Sequence, residues 1–283
     1  MKKKSDRANV YTAANDLTKR IKDSIRFIRS KTKLKSKIAI ILGSGLGDFA
    51  EALLNQKVIE TNSIPHYPHS TVEGHRGKLI LGKIESISIL AFQGRVHFYE
   101  TGNLETVLYP IRVAHALGVR TLIITNAAGG INEKFRAGDL MMITDQINLT
   151  FENSISNLQS PISNRKLYDK DLQNIITAVA KEYGDNIQRG IYCGVKGPSY
   201  ETAAEIEMIR RIGGDAVGMS TVNEVLLACA LGMRIAGISC ITNLATGISG
   251  ETLSHEEVTD VANSVKQKFA ELISGVVKRI HLR

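Results

Sequence analysis

The stretch that decides the fold runs from Gln188 to Ile206: Gln188-Arg-Gly-Ile-Tyr-Cys-Gly-Val195, then Lys196-Gly197-Pro198-Ser199-Tyr200-Glu201-Thr202, then Ala203-Ala204-Glu205-Ile206. Residues 188–195 read as a strand, the Gly-Pro pair breaks it, and 203–212 follow helical spacing. A second unit repeats the order, with Ala216-Val217 as a short strand, Gly218-Met219-Ser220-Thr221 as the turn and 222–231 as the helix. Ser199 and Ser220 are the candidate N-caps, because a hydroxyl accepts from the orphan amides of a first turn. Such turns leave N–H groups and a positive dipole end at the C-terminal edge of a sheet, which suits anionic or polar ligands. The same text also describes a plain capped helix whose first-turn Glu complements the dipole. The stretch alone does not separate the two readings.

Working outward, strand and helix signals alternate along the chain. Ile38–Leu42 is a continuous apolar run, as in a strand buried on both faces, and it enters Gly43-Ser44-Gly45-Leu46-Gly47. Residues 78–84 and 86–92 read as neighbouring strands that lead into Gly94-Arg95-Val96-His97-Phe98-Tyr99. Residues 104–117 are helical, and 121–125 form a strand ending at Asn126-Ala127-Ala128-Gly129-Gly130. A strand follows at 140–144, then a weakly patterned stretch over 145–168, a helix over 171–183 and a strand over 235–242. Ser254-His255-Glu256-Glu257 reads as the capping box of the last helix. The alternation predicts an α/β fold: a single domain over 1–283 with a largely parallel or mixed central sheet flanked by helices.

Composition narrows the class. Hydrophobic residues make up 43% and charged residues 23%, ordinary values for a globular chain that buries a sizeable core. Cys193, Cys229 and Cys240 lie in apolar surroundings with no CxxC spacing, which predicts neither disulfides nor a zinc site and fits a reducing compartment. There is no apolar h-region near Met1, and the run 225–233 is too short to span a bilayer, so a cytoplasmic protein is expected.

The net charge of +8 belongs to one segment. Residues 1–37 hold 13 basic and 3 acidic residues, and the rest of the chain is close to neutral. Leu17, Ile21, Ile25 and Ile28 recur at helical spacing, so a basic amphipathic helix over about 9–30 is expected to pack one face on the body. Its charged face is read as solvated rather than as a nucleic-acid arm.

Polar, glycine-rich segments close the strands at 43–47, 94–99, 126–130, 197–202 and 218–221, with Asn243 and Thr246 as a sixth. At the C-terminal ends of an open α/β sheet such segments converge on one crevice. Ser44, the Arg95 fork, the switchable donor His97, the amides around Ala127 and the hydroxyl of Ser220 are the candidates for an anion cradle. A dinucleotide fingerprint, with Glu60 as its acidic partner, competes for Gly43–Gly47. It requires a glycine where the chain has Asp48.

Taken together, these segments resemble the trimeric purine nucleoside phosphorylases. The resemblance is carried by Gly43-Ser-Gly-Leu-Gly47, Gly74-His75, Gln93-Gly-Arg-Val-His-Phe-Tyr99 and Thr125-Asn-Ala-Ala-Gly-Gly-Ile-Asn132. It continues through Gly197-Pro-Ser-Tyr-Glu-Thr202, Val217-Gly-Met-Ser-Thr221, Ile241-Thr-Asn243 and Ser254-His-Glu-Glu-Val258. It implies phosphate-dependent cleavage of the N-glycosidic bond of 6-oxopurine nucleosides, with phosphate as co-substrate and no cofactor or metal. Ser44, His75, Arg95, His97, Ala127 and Ser220 match phosphate-binding positions. Glu201 and Asn243 match the pair that reads the base, beside walls at Tyr200 and Val217. Tyr99, Met219 and His255 match sugar contacts, and Phe151 stands in for an aromatic residue reaching the ribose of a neighbouring subunit in a homotrimer. The segment after Asn148 is shortened relative to the family, and Asn223 replaces a usual proline. The related methylthioadenosine phosphorylases carry Asp at the Asn243 position and lack the Glu201 pattern. A nucleoside- or nucleic-acid-binding protein without turnover is the alternative of another class.

Overall fold

A computed structural model of the chain describes residues 2–72, 77–153, 166–248, 261 and 264–282. Nine strands are described: β1 (Ile38–Leu42), β2 (Leu54–Glu60), β3 (Lys78–Ile84), β4 (Ile87–Gln93), β5 (Thr121–Gly130), β6 (Leu140–Asn148), β7 (Gln188–Gly194), β8 (Ala216–Gly218) and β9 (Arg234–Leu244). Around them lie helices α1 (Lys2–Lys31), α2 (Phe98–Thr101), α3 (Leu104–Ala116), α4 (Lys170–Glu182), α5 (Ala203–Arg211), α6 (Val222–Ala230) and α7 (Lys266–His281). The strands form one mixed sheet in the order β2-β3-β4-β1-β5-β8-β7-β6-β9. Because β9 also pairs with β5, five of these strands close on themselves while the other four extend as an open arm. The expected α/β fold with a mixed central sheet is therefore present, but only part of its sheet is open.

The alternation of β1 explains the layering. Ala39 and Ile41 face one core, with Ile28 of α1, Tyr109 and Ile111 of α3 and Val225 of α6. Ile38, Ile40 and Leu42 face the other, with Leu172 and Ile176 of α4 and Phe269 and Ile273 of α7. Both faces of β1 are buried, as its unbroken apolar run predicts. Each of its Ile and Leu side chains contributes about 1.5–3 kcal/mol through burial. A third, smaller cluster of Cys193, Ile206, Ile209 and Val217 fixes α5 to the end of the sheet.

Three strands outrun their predicted ends by two residues or more, and this builds the site. β5 continues through Asn126–Gly130, which sequence patterning reads as a loop. β9 carries an extra residue against β5: Ala128 pairs with Ile241 but Gly129 with Asn243, leaving Thr242 as the bulge. A bulge re-aims the side chains beyond it. β6 likewise extends to Asn148. Parallel pairing of β1 with both β4 and β5 brings Gly43, Gly94 and Thr125 to one edge.

In α1, Leu17, Ile21 and Ile25 pack on the first core and Ile28 is fully buried. Arg29 donates to Leu34 O and Leu117 O, both at 2.7 Å, so one of its basic residues is committed to holding the helix down. Among the described residues, no helix is long and apolar enough to cross a membrane. Cys193, Cys229 and Cys240 are all buried, and none is in a disulfide.

Candidate functional site

The predicted helix caps are displaced by one or three residues, and this changes the reading of Glu201. The N-cap of α5 is Thr202 rather than Ser199: its hydroxyl accepts from Glu205 N, and Glu205 Oε2 accepts from Thr202 N at 2.7 Å. A Ser/Thr with Glu three residues on forms a reciprocal capping box, which outcompetes an isolated Ser. The first-turn carboxylate that complements the dipole is thus Glu205. Glu201 precedes the cap and stands in the wall of a cleft. The N-cap of α6 is similarly Thr221 rather than Ser220.

A half-open cleft lies at the C-terminal edge of the sheet. Gly43 and Ser44 from the end of β1, Arg95, His97 and Tyr99 after β4, and Ala127 and Gly129 of β5 line one part of it. Tyr200 and Glu201 before α5, Val217, Met219 and Ser220 around β8, and Asn243 of β9 line the rest. The predicted convergence therefore holds for eleven candidates: Ser44, Arg95, His97, Tyr99, Ala127, Tyr200, Glu201, Val217, Met219, Ser220 and Asn243. Phe151 lies outside it, 86% exposed and with φ of 57°. His75 and His255 lie outside the described residues. Thr246 is not among the lining residues.

Close backbone approach explains Gly43. A Cβ there would sit 2.6 Å from Asn126 Cα and 2.9 Å from Thr125 O, so the β1 turn packs directly on β5. Thr125 stitches the same point, donating to Ile41 O at 2.8 Å while its Oγ1 accepts from Gly43 N at 3.1 Å. Gly43–Gly47 then enters a short 3₁₀ turn instead of an α-helix. Glu60 pairs with Lys78 at the sheet's outer edge, far along the strand order from β1. The dinucleotide reading fails on both counts.

At one end of the cleft, Arg95 is buried and committed. Its guanidinium donates to Thr125 O, to Thr221 Oγ1 at 3.3 Å and to Glu224 Oε2 at 3.0 Å. The Arg95–Glu224 pair is almost wholly enclosed, with side chains 4% and 3% exposed. His97 stacks on Tyr99 with ring centroids 5.0 Å apart. Glu100 fixes this corner: it accepts from His97 N at 2.5 Å, from Thr71 N at 2.6 Å and from Ser70 Oγ at 3.0 Å. Burial would raise the Glu100 pKa, yet the bonds from His97 and Thr71 hold it down at about 2. Through Glu100 the 70–72 segment, whose Val72 lines the cleft, is tied to the loop bearing His97.

The other end carries Glu201 and Asn243. Burial, followed by the nearby Glu205 charge, raises the Glu201 pKa above the ordinary carboxylate value. Burial and the Glu201 charge push the Cys193 thiol up to about 12. Asn243 Oδ1 accepts from Thr242 Oγ1 at 2.9 Å, and its Nδ2 donates to Leu244 O at 3.1 Å, so the bulge residue orients the amide. Tyr200 remains 48% exposed at the mouth. Sequence patterning missed Thr242, Glu100, Thr221 and Glu224. For the last two a signal existed, since Thr221-x-x-Glu224 is itself a capping-box pattern. Among the described residues, no three His, Cys, Asp or Glu side chains gather as metal ligands.

The chain is similar to known proteins over most of its length. Residues 37–278 match the phosphorylase superfamily. Purine nucleoside phosphorylase 1 of Bacillus subtilis is 47% identical over 264 residues, covering 91% of this chain and 97% of the relative. The rat purine nucleoside phosphorylase is 39% identical, covering 90% and 92%. Isoform 2 of the Schistosoma mansoni purine nucleoside phosphorylase, solved with cytosine and ribose-1-phosphate, superposes with a TM-score of 0.84 at 35% identity, covering 92% of this chain and 96% of that one. A Schistosoma mansoni purine nucleoside phosphorylase solved with adenosine gives 0.83 at 34% identity, covering 91% and 95%. By a matched span that takes in the whole sheet and every described wall of the cleft, the chain belongs to the phosphorylase superfamily, among its purine nucleoside phosphorylases.

Proposed function

We propose that the cleft cleaves 6-oxopurine nucleosides by phosphorolysis, giving free base and pentose 1-phosphate. A phosphate oxygen forms the new bond to the anomeric carbon as the bond to N9 breaks, and the bonding pair leaves on the purine. The sugar is cationic and the purine anionic at the transition state, so opposite charges must be stabilised a few ångströms apart. The cleft has two ends suited to that division. Ser44, Arg95, His97, Ala127 and Ser220 form the phosphate end, and Tyr99 and Met219 form the floor for the sugar between the ends. Glu201 accepts from N1–H of the base, and Asn243 bonds N7 as charge gathers on the ring.

The observation that carries this reading is the placement of Glu201 ahead of its helix, in the cleft wall, with Glu205 taking over the capping. A buried acceptor for N1–H meets only a lone pair on adenine, so adenosine is disfavoured by about 10³-fold or more. The test is base release from inosine, guanosine, adenosine and methylthioadenosine, each with and without phosphate. Hypoxanthine and guanine are expected only when phosphate is present. Release without phosphate makes the protein a hydrolase, and a preference for either adenine nucleoside removes Glu201 from base recognition.

A homotrimer completes the reading, with Phe151 of one subunit reaching the ribose of the next. Its support is the 86% exposure of Phe151 at the edge of the fold. Light scattering is expected to give three times the 31.0 kDa chain mass. A monomer removes the shared sugar site.

A further inference from the structure

Ser220, Thr221 and Val222 form a γ-turn of the strained, positive-φ form. Thr221 has φ of 74° and ψ of −55°, and Val222 N donates to Ser220 O at 2.8 Å. A β-branched residue in this region is costly and persists only where its surroundings over-determine it. Those surroundings are specific. Glu224 Oε2 accepts from Thr221 N at 2.8 Å and from Arg95 Nη1 at 3.0 Å. Thr221 Oγ1 accepts from Asn126 Nδ2 at 2.8 Å and from Arg95 Nη1 at 3.3 Å. A hydroxyl oxygen has two acceptor sites. With both engaged, the direction that fits the bond to Ser220 Oγ, 3.1 Å away, is from Thr221 to Ser220. Ser220 Oγ then accepts from Thr221, and its own O–H is left as a donor at the cleft wall.

We infer that Glu224 is a positioning residue for phosphate: through Arg95 and the strained Thr221 it sets both the place and the donor polarity of the Ser220 hydroxyl. This rests on the reading that phosphate occupies the Arg95–Ser220 end of the cleft. Glu224 itself is 3% exposed and is not among the residues lining the cleft. Its carboxylate couples the loop after β4 to the turn after β8, two segments 129 residues apart that must agree in position for one anion to meet both.

The sign of the effect separates this role from plain charge neutralisation. Removing the carboxylate takes one negative charge away from the phosphate end, and electrostatics alone would then tighten phosphate binding. Positioning predicts the reverse. For Glu224→Gln we expect the KM for inorganic phosphate to rise about 10-fold, with the KM for inosine changed by less than about twofold. Thr221→Val, which keeps shape and Glu224 but loses the hydroxyl relay, should raise the phosphate KM in the same direction. It serves as the second variant if Glu224→Gln fails to fold. An unchanged or lowered phosphate KM in the folded variants, or an equal rise for inosine, overturns the inference. Arg95→Gln and Ser220→Ala test the underlying reading separately. If neither moves the phosphate KM, phosphate does not sit at this end and that reading falls. If both raise it while Glu224→Gln does not, only the positioning role is lost.

Discussion

At the residue scale, Glu201 offers a pH signature. It must be ionised to accept from N1–H, and burial holds its pKa above the ordinary 4.5. Lowering the pH protonates it earlier than an exposed carboxylate, so kcat/KM for inosine should fall on the acid side with a midpoint above 4.5. In Glu201→Gln that limb should vanish, and kcat/KM at neutral pH should drop about 10- to 150-fold, the value of one charge-assisted hydrogen bond. An acid limb surviving unchanged in the variant would assign it to another group. The identity of Glu201 was legible in the sequence, and its freedom from capping was legible only through the residues that follow it. The choice between Ser199 and Thr202 as cap turns on which hydroxyl has a Glu three residues later, a pattern that favours Thr202 through Glu205 and Thr221 through Glu224. Thr242 left no local trace, because its effect on Asn243 comes from a bulge defined only by pairing with β5.

At the element scale, Glu100 of α2 clamps two loops at once, and its linkage to pH has a definite sign. Its folded-state pKa lies near 2, below the ordinary 4.5. The stability it contributes is therefore complete above about pH 4.5 and is lost as the pH falls toward 2. Glu100→Gln should lower stability by about 1–2 kcal/mol at pH 7 and by less at pH 3, read by thermal unfolding at the two values. An equal deficit at both would show that shape rather than charge matters there. The segment after β6 is organised by neutral bonds instead. Thr150 Oγ1 donates to Asn148 Oδ1 at 2.6 Å and accepts from Asn223 Nδ2 at 3.2 Å, so Asn223 links the start of α6 to the turn bearing Phe151. The core of β1 was legible to the residue because its five-residue apolar run is too short for a helix and is followed by a glycine-rich turn. The tails of β5 and β6 were not, since Asn126–Gly130 and Asp145–Asn148 are polar or glycine-rich and become strands only through partners distant in sequence.

At the scale of the whole molecule, alternation of elements gave the class, while the closure of five strands through the β5–β9 pairing depends on contacts that no local pattern encodes. The shared sugar site belongs to this scale as well. In the proposed trimer, Phe151→Ala should raise the KM for inosine by about 10-fold or more and leave the phosphate KM unaltered, in steady-state kinetics on protein of confirmed mass. No change would free the sugar site from any neighbour. The tail of β5 has a further consequence. Ala127, Ala128, Gly129 and Gly218 line the cleft and offer it little but main chain. The peptide groups themselves are the same whatever residue carries them, and at Gly218 an added methyl would meet the Tyr192 hydroxyl at 2.5 Å. Change in specificity by loss of a contact then falls on the positions that present side chains, Tyr200, Glu201 and Asn243 among them. A ligand that draws its affinity from the peptide wall leaves mutation little to act upon.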